Sequence, residues 1–221
     1  MNFYIVATPI GNLDDMSFRA IETLKNVDLI LCEDTRQTQK LLNHYEIKTS
    51  TLSYHQHSKI QKINQILELI SQGKTLALVS DAGTPGIADP GQMLVKEILN
   101  NLDNVVIVPI PGASAIISVL SVSGFDTNSF QFLGFAPKKG QAKFFKQIEE
   151  SKMTSVFYES THRIVKMLES LGEIMPERKV VLAREVTKKF ETFYRGTCRE
   201  VGEKLKLTSN KGEFTIIIEG K

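Results

Sequence analysis

The sequence predicts an α/β protein built as two packed domains, the first around a mostly parallel sheet and the second around a mixed one. Two observations carry this. Through the first half, short continuous aliphatic runs alternate with amphipathic stretches, the pattern of strands covered by helices on both faces. In the second half, two strand-like runs stand only a few residues apart. That is too close for a crossover helix, so they pair as an antiparallel hairpin.

The strands of the first half are expected at FYIVA (3–7), VDLILC (27–32), TLALVS (75–80) and VVIVPI (105–110). Between them, residues 17–26 place Phe18, Ile21 and Leu24 on one helical face. Residues 59–72 do the same with Ile60, Ile63, Ile66, Leu67 and Ile70, and Gly73 stops the helix. A further helix starts at PGASA (111–115) and ends at Gly124. The domain boundary falls in it, giving domains of residues 1–118 and 119–221. Beyond it, strands are expected at 130–135, 154–159, 179–185, 190–196 and 214–220, with helices at 140–150, 161–173 and 198–207.

With 42% hydrophobic and 24% charged residues, the 221-residue chain holds enough apolar material for a core without disulfides. Cys32 and Cys198 form no CxxC or Cys/His cluster, which suits a reducing, cytoplasmic compartment. No apolar run reaches the roughly 20 residues of a membrane span, and the N-terminus reads as a first strand rather than a signal peptide. Charge is uneven. Residues 1–123 carry 9 Lys+Arg against 12 Asp+Glu, and residues 124–221 carry 18 against 13. A basic second half suits an anionic partner such as RNA, and equally suits a plain soluble surface.

Ligands of open α/β sheets bind outside the carboxyl ends of the strands. Three Gly/Pro-rich loops occupy that position: ATPIGNLDD, SDAGTPGIADPG (80–91) and PIPGASA. If their strands are neighbours, the loops share one rim, where glycines let main chain approach a ligand and prolines stiffen the frame. There is neither a GxGxxG dinucleotide fingerprint nor a GxxxxGK[ST] phosphate loop.

These loops, with CEDTR (32–36), FLGFAPKK, FYESTHR, LAREVTKKFE and KGEFTIIIEG, occur in order along essentially the whole chain. Together they resemble the tetrapyrrole methylase superfamily, and within it the branch that methylates ribosomal RNA of the small subunit. Relatives acting on tetrapyrroles typically show GxGxGD after the first strand, where this chain has TPIGN. Many members of the branch continue with a helical segment beyond the KGEF strand, at which these residues end.

The resemblance implies two α/β domains of the tetrapyrrole methylase type with a ligand cleft between them. It implies S-adenosylmethionine as methyl donor, and the 2′-hydroxyl of a cytidine in the decoding region of 16S rRNA as acceptor. It further implies the 30S subunit as partner, a homodimer and no membrane association. Carried over by motif, the donor site comprises Ile10, Ser80, Asp81, Gly83, Thr84, Gly112, Ser114 and Ala115, with Tyr158, Glu159 and Val186 closing the adenine side. Asp81 can equally be a turn residue, and Ser114 a helix N-cap.

Methyl transfer to a hydroxyl needs alignment and removal of one proton, and no metal. Candidate catalytic groups are Glu33, Asp34, Glu185 and Lys188. Glu185, Lys188 and Glu191 read as well as salt bridges beside a hairpin. Arg36 suits a phosphate or a local ion pair. His55 and His57, an i, i+2 pair without a third ligand, do not make a metal site and are candidate substrate contacts. Lys138, Lys139, Lys143 and Lys146 form the basic strip expected to meet RNA, extended by Arg163 and Lys166. Phe144 and Phe145 could stack on bases, though helical spacing places at least one in the core. The rival readings are a tetrapyrrole-directed methyltransferase and an RNA-binding protein without catalysis.

Overall fold

The computed structural model describes residues 1–55 and 60–221. The chain divides into two compact units, Met1–Ser114 and Ala115–Lys221. The division falls before the helix that opens at Ala115, so that helix belongs whole to the second unit. The sequence places part of it in the first, because an apolar helix does not show which sheet it covers.

The first unit is a five-stranded parallel sheet. Its strands are β1 (Asn2–Val6), β2 (Leu29–Cys32), β3 (Thr51–Ser53), β4 (Leu76–Val79) and β5 (Val106–Ile110), in the order β3-β2-β4-β1-β5. Among the described residues four α-helices intervene: α1 (Phe18–Asn26), α2 (Thr35–His44), α3 (Ile60–Ser71) and α4 (Gly91–Asn101). They cover both faces. Ala20 and Leu24 of α1 and Leu42 of α2 pack with Ile30, Cys32, Ala77 and Val79 on one side. Ile63, Ile66 and Ile70 of α3, with Leu94 and Ile98 of α4, pack with Phe3, Leu31, Leu76 and Leu78 on the other. Two-sided burial is why these strands read as unbroken aliphatic runs. Three elements escape the sequence reading. The polar stretch TRQTQKLLNH of α2 offers only two adjacent leucines, α4 begins inside the Gly/Pro loop, and β3 spans just three residues.

The second unit begins with α5 (Ala115–Ser121), which packs on its sheet. The remaining elements are β6 (Phe130–Phe135), α6 (Gln141–Glu150), β7 (Thr154–Ser160), α7 (Ile164–Ile174), β8 (Lys179–Arg184), β9 (Thr192–Thr197), α8 (Cys198–Lys206) and β10 (Glu213–Ile218). The strand order is β6-β7-β10-β8-β9. Only β6 and β7 run parallel, and β8 and β9 form the expected hairpin, so the sheet is mixed. Helices α6, α7 and α8 cover one face through Ile148, Leu168, Leu171, Val201 and Leu205. Helix α8 starts from a capping box in which Thr197 and Glu200 satisfy each other's backbone amides.

Candidate active site

In the first unit the sheet order puts β4, β1 and β5 side by side, so the three Gly/Pro loops at their carboxyl ends share one rim. They are tied to one another. Thr8 and Gly83 exchange both backbone hydrogen bonds, at 2.9 and 3.1 Å, and the buried Thr8 hydroxyl donates to the carbonyl of Ser80 at 3.0 Å. Gly83 has φ +81°, and a Cβ there would stand 3.4 Å from the Ile10 side chain and 3.8 Å from the Ala113 carbonyl. Loops one, two and three therefore meet around Gly83.

The loop of residues 80–91 also closes on itself. The Asp89 carboxylate accepts from the amide of Gly91 at 2.9 Å and from that of Gly86. Gly86 and Gly91 lie so close that a Cβ on Gly91 would stand 2.7 Å from the Gly86 nitrogen. Two of the three glycines thus serve the loop's own closure, where the sequence reading has all of them making room for a ligand. Ser80 is mostly buried and its hydroxyl is engaged within its own turn with Ala82. Asp81 is exposed, and its carboxylate accepts weakly from the Asp34 amide at 3.4 Å.

Strand β2 borders β4, which brings CEDTR to the same rim. Its acidic residues differ in role. Asp34 is the N-cap of α2 and grips Arg36 through Nε at 3.1 Å and Nη2 at 2.8 Å. Those bonds hold its carboxyl down to about 2. A carboxylate so stabilised is a poor proton acceptor. Glu33 is half-buried, and burial, followed by the charges of Asp89 and Asp81, pushes its pKa up. Arg36 stays largely exposed despite its pair with Asp34. His55 lies just past β3 and is exposed, whereas His57 falls outside the described residues. Among the described residues no cluster of His, Cys, Asp and Glu could hold a metal ion.

In the second unit, the motifs carrying the resemblance gather along one edge of the mixed sheet, where β6, β7 and β8 end and β10 begins. Side chains lock these segments together. The Thr161 hydroxyl donates to the Gly212 carbonyl at 2.7 Å and accepts from its amide at 2.9 Å. Arg184 donates to the Lys211 carbonyl at 2.6 Å. Glu185, at φ +53°, accepts from the Glu213 amide at 2.9 Å and from Lys188 at 3.2 Å. Burial opposes the charge of Glu185, but those hydrogen bonds outweigh it and its pKa falls. Lys188 also meets Glu213 at 2.9 Å; burial works against its charge, yet the two carboxylates prevail and its pKa rises. A lysine acts as a base near neutrality when its pKa is lowered, not raised, and here Lys188 is the charged partner of Glu185 and Glu213.

Glu159, whose side chain is fully buried, pairs with Arg163 at 2.6 Å, and Arg163 also donates to the Ala136 carbonyl at 3.0 Å. That pairing takes Arg163 out of the basic strip and leaves it holding the FAPKK turn. The Glu159 carboxylate is bound by Arg163 and also accepts from the Ser160 amide at 2.6 Å. Tyr158 is pushed up to about 12 by burial and by Glu213, so it stays a neutral phenol. Val186 is mostly buried. Lys138, Lys139, Lys143 and Lys146 are all exposed, whereas Phe144 and Phe145 are both in the core and offer no base a stacking face. Thr8, Asp89 and Thr161 went unmarked in the sequence. Each lies inside a motif, but only the fold shows which neighbour it binds.

The family model for Tetrapyrrole (Corrin/Porphyrin) Methylases matches residues 2–202. The chain belongs to that family. This methylase is 46% identical over 219 residues to "Ribosomal RNA small subunit methyltransferase I" of Halalkalibacterium halodurans, covering 98% of this chain and 75% of the relative. It is 44% identical over 221 residues to the protein of that name from Hydrogenobaculum sp., covering 99% of this chain and 95% of the relative. Among solved structures, the methylase fold matches uroporphyrin-III C-methyltransferase from Thermus thermophilus complexed with S-adenyl homocysteine. That match has a TM-score of 0.66 at 16% identity, over 98% of this chain and 97% of the other. Among the described residues, no helix of the methylase is long and apolar enough to cross a membrane.

Proposed function

We propose that this methylase transfers a methyl group from S-adenosylmethionine to the 2′-hydroxyl of a cytidine in 16S rRNA of the 30S subunit. The relatives' shared name at 44–46% identity over nearly the whole chain supports the RNA acceptor. The carrying observation for the donor is the interlocked rim around Gly83, whose main chain and exposed Asp81 carboxylate suit a ligand bearing an ammonium and ribose hydroxyls. Ile10, Asp81, Gly83, Thr84, Gly112 and Ser114 would hold the donor there. The donor supplies a methyl group already activated by a positive sulfur. The protein's part is to align the acceptor oxygen and take its proton.

For that proton we favour Glu33. Among the described residues it is the one carboxylate of the four candidate groups that neither caps a helix nor sits in an ion pair, and its pKa lies above the ordinary value. A raised pKa makes a stronger base. The ionised form exists only above that pKa, so the rate falls as pH drops through a point higher than an unperturbed glutamate's. Glu33→Gln should lower kcat at least a hundredfold and abolish that acidic limb, with donor affinity kept. An unchanged pH–rate profile would remove Glu33 from the role. The exposed lysines at 138, 139, 143 and 146 support electrostatic docking to RNA. A cytoplasmic location and a homodimer complete the reading. The apolar side chains that Val106 of edge strand β5 and Ile117 of α5 leave exposed support self-association.

The test is transfer of labelled methyl from S-adenosylmethionine to 30S subunits lacking the modification, with naked 16S rRNA and a tetrapyrrole precursor alongside. Label on a cytidine ribose in the 30S sample is the expected result. Label on the tetrapyrrole alone would overturn the RNA assignment.

A further inference from the structure

Beside the rim, in front of the N-terminus of α4, the first unit has an open hollow. Tyr54, Asp89, Pro90, Gln92 and Met93 are among the residues that line it. Its chemistry is distinct. Pro90 and Met93 supply apolar surface, and Met93 is 52% exposed. Asp89 uses one carboxylate oxygen, Oδ1, to close its own loop, and among the described residues no hydrogen bond reaches Oδ2. Gln92 is exposed, and among the described residues its side-chain amide makes no hydrogen bond. Tyr54 is only 2% exposed, yet its hydroxyl has no hydrogen-bond partner among the described residues. Together the Asp89 oxygen, the Gln92 amide and the Tyr54 hydroxyl give the hollow polar groups that its own residues leave for a ligand.

The surrounding charge selects among ligands. The charges of Asp89 and Asp81 are close enough to act on Glu33, so the neighbourhood carries three carboxyl groups and is negative. A phosphate is disfavoured there. A flat, partly apolar heterocycle whose edge carries an amine is favoured, because carboxylates accept from exocyclic amines while amide and hydroxyl donors serve ring nitrogen and carbonyl acceptors. We propose that this hollow seats the acceptor's base and reads it as cytosine, Asp89 Oδ2 accepting from the exocyclic amine, and Gln92 and Tyr54 donating to the ring edge. Uracil presents a carbonyl where cytosine presents the amine, and would face the Asp89 carboxylate unpaired. This assignment rests on the RNA-methylating reading above and adds the residues that set its base preference.

The experiment uses 30S subunits reconstituted with either cytidine or uridine at the acceptor position. Methyl transfer is measured on both, and donor affinity is measured separately by titration. Asp89→Asn is the informative variant. Its carbonyl oxygen can still accept from Gly86 and Gly91, while its amide presents a donor in place of Oδ2. The cytidine-over-uridine ratio should fall about tenfold or more in Asp89→Asn, and severalfold in Tyr54→Phe and Gln92→Ala, with donor affinity unchanged. Wild-type ratios retained in all three variants would overturn the assignment. So would a loss confined to donor affinity, which would make the hollow part of the donor site. A wild-type protein that methylates both subunits equally defeats this inference alone, whereas one that methylates neither defeats the RNA reading with it.

Discussion

Arg163→Ala is expected to cost the protein about 3–5 kcal/mol, because it strands a fully buried carboxylate. The Glu159 side chain has no solvent exposure, and its closest charge is Arg163 at 2.6 Å. The Ser160 amide and hydroxyl also donate to its first oxygen, at 2.6 and 3.3 Å, but its second oxygen is buried without a hydrogen-bond partner, so neutral donors alone would be left to carry the charge. Glu159→Gln with Arg163→Met removes both charges and should recover more than half of the loss, since a buried pair is often no better than a neutral one of similar volume. Urea unfolding of the three variants decides this. A loss below about 1 kcal/mol in the single variant would mean that Glu159 reaches water or another donor. The same variant frees the Ala136 carbonyl, which Arg163 holds at 3.0 Å. The Lys138–Lys139 turn then loses its anchor, and affinity for RNA should fall with stability.

Gly91→Ala should break the loop that carries Asp81, Gly83 and Thr84 of the proposed donor site. Its new Cβ would stand 2.7 Å from the Gly86 nitrogen, 3.0 Å from Leu78 Cδ2 and 3.2 Å from the Gly86 Cα. Backbone against backbone cannot yield as a flexible side chain does, so the overpacking costs about 1–3 kcal/mol and prises Gly86 from Asp89. Titration with S-adenosylmethionine should show at least a tenfold weaker Kd, roughly 1.4 kcal/mol. Gly202→Ala is the matched comparison. It sits inside α8, where the nearest atom to an added Cβ is Leu168 Cβ at 3.9 Å. There the substitution should be neutral or stabilise by up to about 1 kcal/mol, through helix propensity. Equal effects at both positions would refute the close-approach argument.

Much of this was legible in the chain itself. Unbroken runs such as TLALV announced a sheet buried on both faces, and the short gap between residues 185 and 190 announced the hairpin. That the three Gly/Pro loops share a rim depended on a condition no local pattern can supply, namely that β4, β1 and β5 are adjacent. The candidate acids and bases show the same limit. Glu33, Asp34, Glu185 and Lys188 look alike as motif letters. Their differences come from what each touches: a helix amide and Arg36 for Asp34, a pair of carboxylates for Lys188, neighbouring charge and burial for Glu33. Asp89 was hidden because its partners are backbone amides, and backbone amides leave no trace in a sequence.

The order of strands in the first sheet also bears on how the chain is made. β1 is flanked by β4 and β5, pairing Phe3 with Leu76 and Asn2 with Val106. Its only partners are therefore synthesised long after it, and every one of its ladder bonds closes a large loop. While the ribosome is translating the intervening residues, this aliphatic segment has no edge to join. The first strand to emerge thus waits for β4 before it gains any partner, and nascent chains too short to include Leu76–Val79 should expose it to proteases and to chaperones.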